Sequence, residues 1–301
     1  MKAVVLLNCG SGASRGAAPE AEEARVAEAF RAAGVDAAVR ALPGSDLSEA
    51  ARAAAASDAD TVVLGGGDGT LSTGAAALAG GDKTLGVLPL GTFNHFAKDL
   101  GIPLELADAV RVIAEGRVRR VDVGEAGGRP FLNNASIGLY PELVRVRDEL
   151  RRHRGMSKGT AMLAAAREVW RDPPFLRATL RIFDDVARVR TPFVFVGNNR
   201  YEMKLFSLGA RASLERGELS VYVARNARRW GILRLALRAL VGRLRQDKDF
   251  EAIAVPHVVV ETPRRMVRVA LDGELYRMES PVRFRILPAA LRVLAPEPPP
   301  A

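Results

Sequence analysis

The run Gly65-Gly66-Gly67-Asp68-Gly69-Thr70 places glycines, one carboxylate and one hydroxyl in consecutive positions. It follows the apolar residues 61–64 and precedes a helical pattern over 71–78. Glycines let backbone N–H groups turn toward phosphate oxygens, and the positive end of a following helix favours the same anion. A carboxylate repels phosphate unless a divalent cation bridges the two, so Asp68 points to a metal-bound nucleotide rather than a bare anion. A plain turn residue is the other reading of Asp68 on this motif alone.

Such a loop needs strands that end side by side. The first 125 residues alternate apolar runs at 3–7, 35–42, 61–64 and 84–88 with helical patterns, including 20–33 and 47–56. This βα alternation predicts an α/β domain built on a doubly wound, mostly parallel sheet. Two more strand ends carry glycines: Asn8-Cys9-Gly10-Ser11-Gly12 and Pro89-Leu90-Gly91-Thr92-Phe93-Asn94-His95. In a parallel sheet these ends share one edge, where loops distant in sequence can serve one nucleotide.

Beyond Arg119 strand-like runs dominate, at 121–123, 131–136, 176–183, 191–196, 219–223, 257–260, 267–271 and 282–287. They predict a second, β-rich, antiparallel and sandwich-like domain. Helical patterns interrupt it at 147–170, broken at Gly155 and Gly159, and at 228–245, while the proline-rich residues 296–301 read as disordered. The expected division is 1–125 and 126–287, with 288–301 returning to the first domain.

The chain has 301 residues, 48% of them hydrophobic, enough for packed cores in one large domain or two ordinary ones. Its 44 Lys and Arg against 35 Asp and Glu, a formal charge of +9, suit anionic partners such as nucleotides or acidic lipid surfaces. Arginines are spread along the chain and aromatics make up only 6%, which argues against base-stacking platforms and hence against nucleic acid. A single cysteine, Cys9, excludes an intramolecular disulfide and a cysteine zinc cluster. No apolar stretch reaches membrane-spanning length and the chain opens on a strand-like run, so a soluble, cytoplasmic protein is expected. Over 228–245, Trp230, Leu233, Leu237, Leu240, Val241 and Leu244 form one apolar stripe flanked by arginines. Packing on the second domain's sheet is the favoured reading, with contact to an anionic membrane interface as the other.

Taken together, these loops resemble the diacylglycerol kinase catalytic-domain family, soluble lipid kinases related to sphingosine kinases and more distantly to NAD kinases. The carriers are Asn8-x-x-Ser11-Gly12, Gly65 to Thr70, Leu90-Gly91-Thr92-x-Asn94-x-Phe96-Ala97, Asn133-Asn134-x-Ser136-x-Gly138 and Leu271-Asp272-Gly273-Glu274. The resemblance implies a two-domain NAD kinase/diacylglycerol kinase-like fold and transfer of the γ-phosphoryl group of ATP, with Mg²⁺, to a hydroxyl of diacylglycerol or a similar lipid. It implies that Gly65, Gly66, Gly67, Asp68, Gly69 and Thr70 hold the ATP phosphates, with Asp68 engaging Mg²⁺. Asn8, Ser11, Gly12, Gly91, Thr92 and Asn94 would complete the nucleotide site. Glu274 matches the family's general base, with Asp272 as a rival base or second metal contact, since two residues of spacing on a strand would put both carboxylates on one face. An ordinary turn at Asp272-Gly273 and helix capping by Thr92 and Asn94 are the structural alternatives.

Three positions depart from the family pattern. Cys9 stands where proline is usual, and His95 stands where an aspartate is common, a change read as a subfamily mark with His95 in a supporting role. Arg216 replaces an aspartate that ligates a structural Mg²⁺ in bacterial members, so that metal is expected to be absent, with Arg216 pairing Glu215 or Glu218 instead. The implied partners are ATP, a lipid substrate and, peripherally, the inner face of an anionic membrane; a homodimer stays open. An NAD-kinase-like enzyme and a catalytically weak lipid- or nucleotide-binding regulator are the alternatives.

Overall fold

The computed structural model describes residues 1–10, 18–171, 175–202, 210–211, 213–224 and 250–297. The chain divides into two compact units, Met1–Val123 with Ser213–Arg216 and Leu287–Ala301, and Gly124–Ala212 with Gly217–Ile286.

In the first unit the order is β1 (Lys2–Asn8), α1 (Pro19–Ala32), β2 (Asp36–Leu42), α2 (Leu47–Ala55), β3 (Thr61–Gly66), α3 (Asp68–Leu78), β4 (Thr84–Pro89), α4 (His95–Asp99), α5 (Leu106–Glu115) and the start of β5 (Arg117–Ala126). Strands β2, β1, β3 and β4 lie side by side in that order, all parallel. Every residue of β3 and β4 is buried, the mark of strands covered on both faces. Phe30 of α1, Leu47 of α2 and Leu71 of α3 are buried with Leu6, Leu64 and Leu85 of the sheet. Helix α3 starts at Asp68, three residues earlier than the apolar pattern predicts, because the extended Gly67 already serves as its N-cap.

The second unit continues with β6 (Arg129–Phe131), β7 (Asn134–Gly138), α6 (Leu139–Arg154), α7 (Lys158–Arg171), β8 (Leu176–Ile182), β9 (Asp185–Thr191), β10 (Phe193–Asn198), β11 (Tyr201–Glu202) and β12 (Ala210–Arg211). After these come β13 (Leu219–Ala224), β14 (Phe250–Val255), β15 (His257–Glu261), β16 (Met266–Leu271), β17 (Glu274–Glu279) and β18 (Val282–Ala295). One antiparallel sheet runs β14-β13-β10-β7-β16-β17. A second antiparallel layer runs from the first half of β18 through β15 and β8 to β9. Ile137, Val194, Val221 and Leu271 of one layer share a core with Leu180, Val258, Val260 and Phe284 of the other, so the unit is a sandwich.

Several boundaries differ from the sequence reading. The run 131–136 is two strands, since Leu132 and Asn133 leave the ladder between β6 and β7. Helix α6 begins at Leu139, well before residue 147, and ends as expected at Gly155, which adopts the left-handed conformation at φ 61°. Gly159, by contrast, lies inside α7. Strand β17 was not foreseen because ELYRME carries too few apolar residues to read as a hydrophobic run. The amphipathic pattern at 228–245 lies outside the described residues. No helix among the described residues is long and apolar enough to cross a membrane.

Candidate active site

In the first unit the ends of β1, β3 and β4 meet. Asn8, at the end of β1, donates from Nδ2 to Thr70 Oγ1 at 2.8 Å and accepts from the Gly10 N–H at 2.9 Å. It thus ties its own loop to the first turn of α3. Ser11 and Gly12 lie outside the described residues. Packing demands glycine at positions 65 and 66. Both are buried within β3, and a Cβ would collide with Leu7 at position 65 and with Thr70 at position 66. The rest of the motif is Gly67, Asp68, Gly69 and Thr70.

Those four residues form the start of α3. No side chain caps this helix, and the first N–H groups of a helix have no partner within it. They are therefore available to an anion, as is the positive end of the helix dipole. Asp68 Oδ1 accepts from the Phe96 N–H at 3.1 Å, fixing the carboxylate against the β4 loop, while Oδ2 has no hydrogen-bond partner among the described residues.

Asn94 holds that second loop. It adopts the left-handed conformation (φ 53°, ψ 46°), is buried, accepts from the Gly91 N–H at 2.9 Å and donates to the carbonyls of Pro89 and Gly91 at 3.1 and 3.0 Å. Asn94 is the N-cap residue of α4 by position, but its side chain makes no capping bond and clasps the 89–94 turn instead. Gly91 is required by closeness, for a Cβ there would strike the Cα of Gly67. Thr92 and His95 are exposed, and His95 stacks on the exposed Phe93 at 5.7 Å between ring centroids. Thr92 is the hydroxyl of this loop that faces solvent.

In the second unit the geometry separates two carboxylates that the sequence spacing had placed on one strand face. Asp272 and Gly273, both at positive φ (47° and 88°), are the two-residue turn between β16 and β17, with Leu271 opposite Glu274. Asp272 points inward. Its Oδ2 accepts from the Leu132 N–H at 2.7 Å, and its Oδ1 accepts from the N–H groups of Asn133 and Asn134, both at 2.8 Å. A carboxylate holding three backbone donors is built to anchor a loop, and this contact explains why the 131–136 run breaks where it does.

The same loop is gripped from its carbonyl side by Arg211, a buried residue that sequence reading missed. Arg211 donates to the Leu132 carbonyl at 2.6 Å, to Asn133 Oδ1 at 2.8 Å and to the Asn198 carbonyl at 3.2 Å, and its guanidinium lies 5.6 Å from the Tyr201 ring centroid. Nothing in the local pattern distinguishes Arg211 from the many surface arginines. Ser136, from the same motif, is buried, and its hydroxyl has no hydrogen-bond partner among the described residues.

Glu274 begins β17 and is exposed. Its Oε2 accepts from the Tyr276 hydroxyl at 2.9 Å, and Oε1 makes no hydrogen bond among the described residues. Here the two-residue spacing does place both groups on one strand face. Burial, followed by the Glu274 carboxylate, pushes the Tyr276 phenol up to about 12, so the hydroxyl stays a donor. Arg129 lies over its ring at 4.8 Å. Glu274 is thus an oriented carboxylate with one oxygen turned to solvent, the geometry a proton acceptor needs.

Among the described residues no group of three or more His, Cys, Asp or Glu could hold a metal ion. Asp68 fits Mg²⁺ in the way one carboxylate does when the rest of the coordination comes from phosphates and water. Near Arg216, Glu215 is engaged by Arg119 at 2.6 Å.

Two domain families match the chain: the diacylglycerol kinase catalytic domain over residues 2–126, and the YegS C-terminal NAD kinase beta sandwich-like domain over 138–295. A protein of Chromohalobacter salexigens named "Probable lipid kinase YegS-like" is 32% identical over 285 residues, covering 93% of this chain and 89% of that one. A diacylglycerol kinase of Bacillus subtilis is 30% identical over 264 residues, 83% of each chain. The crystal structure of a diacylglycerol kinase from Bacillus anthracis superposes with a TM-score of 0.69 at 19% identity, covering 98% of this chain and 96% of that one. A further crystal structure from the same organism gives 0.77 at 23% identity, with 98% and 95% coverage. With both domains matched in order along the chain, this protein belongs to the diacylglycerol kinase-like family of lipid kinases, in the form that carries a YegS-type C-terminal domain.

Proposed function

We propose that this protein transfers the γ-phosphoryl group of ATP to a hydroxyl of diacylglycerol or a similar lipid, as a cytoplasmic enzyme working at the inner membrane surface. The observation that carries the reading is the uncapped start of α3, where Asp68 is fixed by Phe96 and keeps one oxygen unbonded among the described residues. Phosphoryl transfer asks for alignment and charge neutralisation more than covalent chemistry. The first-turn N–H groups supply donors to the phosphates, and Asn94 and Asn8 hold the two flanking loops in place. Asp68 would hold Mg²⁺, which would supply the remaining charge neutralisation. The lipid oxygen bonds to the γ-phosphorus as the bond from that phosphorus to the β–γ bridging oxygen breaks. ADP leaves, and the hydroxyl proton passes to Glu274 Oε1 while Tyr276 steadies Oε2. Asp272 is a positioning residue for the 132–134 loop, and the structural Mg²⁺ is proposed absent because a guanidinium at Arg216 cannot ligate a cation.

Purified protein incubated with γ-radiolabelled ATP, Mg²⁺ and mixed micelles of a bacterial lipid extract, with diacylglycerol and NAD in parallel reactions, tests this. Label in an organic-soluble product is expected, and its mobility identifies the acceptor. Label confined to a water-soluble NAD product, or no transfer despite ATP binding, would overturn the reading in favour of an NAD kinase or a binding regulator.

A further inference from the structure

The sandwich layer formed by the first half of β18 with β15, β8 and β9 has an outer face that the lipid kinase reading leaves unused. Alternation along each strand buries Ala178 and Leu180 of β8, Val258 and Val260 of β15, and Val282, Phe284 and Ile286 of β18. The residues between them face out. They are strongly basic: Arg177 and Arg181 of β8, Arg188 and Arg190 of β9, and Arg283 and Arg285 of β18 are all exposed, while β15 between β18 and β8 contributes no arginine. Glu261 takes Arg181 at 3.0 Å, and Glu125 takes Arg285 at 2.7 Å. The side chains of Arg177, Arg188 and Arg283 make no hydrogen bond or ion pair among the described residues, and Arg190 only lies over the Phe175 ring at 5.0 Å.

Register sharpens the point. Arg177 stands directly opposite Arg190, and Thr179 opposite Arg188. Like charges facing each other across a ladder destabilise the pair, so this arrangement is costly unless an anion lies between the guanidinium groups. A depression of about 420 Å³ opens there, lined by Arg177, Thr179, Arg188, Arg190, Thr262 and Glu261, whose carboxylate is engaged by Arg181. Guanidinium forks and hydroxyls are the donors that hold phosphate oxygens. The acidic pair Asp184 and Asp185 sits at the β8–β9 turn, beside the Arg181–Val186 pair and at the opposite end of the ladder from Arg177 and Arg190.

We propose that this face is the surface by which the second unit lies on an anionic bilayer, with one lipid headgroup phosphate seated between Arg177, Arg188 and Arg190. A sheet face with exposed arginines on three of its strands complements the negative charge of headgroup phosphates. Each such residue near an acidic surface contributes on the order of a several-fold gain in binding. The proposal rests on the reading that the acceptor is a membrane lipid, and its test is independent of turnover.

Sedimentation with sucrose-loaded vesicles of phosphatidylcholine, alone or mixed with phosphatidylglycerol, measures it in the full-length protein. Binding to the mixed vesicles only, weakened by salt, is expected. The triple substitution Arg177→Glu, Arg188→Glu, Arg190→Glu should lower the apparent affinity at least about tenfold. Arg190→Glu alone gives a second check on folding, because it sets a carboxylate opposite Arg177: its melting temperature should hold or rise while vesicle binding falls. Phosphorylation of a short-chain diacylglycerol dispersed in neutral detergent should be unchanged in both variants. Equal vesicle binding by native and variant proteins overturns the membrane surface even if the kinase assay succeeds. Loss of binding in the variants supports it even if the acceptor proves not to be a lipid. Preferential retention on DNA rather than anionic vesicles, abolished by the same substitutions, would also overturn it.

Discussion

Two carboxylates two residues apart, Asp272 and Glu274, are assigned opposite kinds of work, and substitution separates them. Removing Asp272 strips three backbone donors of their acceptor. Each donor left bare costs about 1–3 kcal/mol, less whatever water recovers. Asp272→Ala is therefore expected to lower the melting temperature and the activity together. Glu274→Gln is isosteric and exposed, so kcat should fall by roughly 10²- to 10⁴-fold with the melting temperature unmoved. Thermal melts beside steady-state rates check both; a stable, inactive Asp272→Ala would return the base to that residue. Tyr276 adds a pH signature. Its phenol lies near 10 in the unfolded chain and is pushed up to about 12 when folded. The stability this contributes is fully present below about pH 10 and is lost as the pH rises through about 12. Tyr276→Phe should flatten that alkaline decline, measured as the difference between native and variant unfolding free energies in urea.

At the scale of elements, the parallel strands were legible because a run buried on both faces can only be apolar, as in β3 and β4. The start of α3 was not, since glycines at 65–67 and 69 carry poor helix propensity and it is the packing of Thr70 against Gly66 and Asn8 that sets the first turn. The break at Leu132 and Asn133 was equally hidden: its cause is a carboxylate about 140 positions away in the chain. Asn94 was legible as part of a loop, but only the left-handed backbone reveals that its side chain closes the turn on itself. Gly91→Ala should push the β4 loop off Gly67, weakening ATP binding at least about tenfold, the effect of a displacement worth about 1.4 kcal/mol. Calorimetric titration with ATP reads it, and native affinity in that variant would show that the two loops need not meet.

For the molecule as a whole, the sequence conveyed a parallel α/β fold followed by a β-rich one, because hydrophobic periodicity changes along the chain. It did not convey that 282–287 and 291–294 are one strand. β18 pairs antiparallel with β15 through Val282 to Arg285 and parallel with β4 at Arg292 and Val293. Between them Ala289, at φ 51°, donates its N–H to the buried Asp122 at 2.9 Å. Asp122→Ala should cost about 1–3 kcal/mol by orphaning that donor, seen as a lower urea midpoint; an unchanged midpoint would mean that the strand is held by its ladders alone. Phosphoryl transfer itself is read by label transfer from γ-radiolabelled ATP to diacylglycerol by native protein, Asp68→Ala and Glu274→Gln, with ATP affinity measured on the same samples. The expected result is transfer by the native protein, loss in both variants, and ATP binding kept in Glu274→Gln but weakened in Asp68→Ala. Native rates in Glu274→Gln, or no lipid product from native protein that binds ATP, would contradict it.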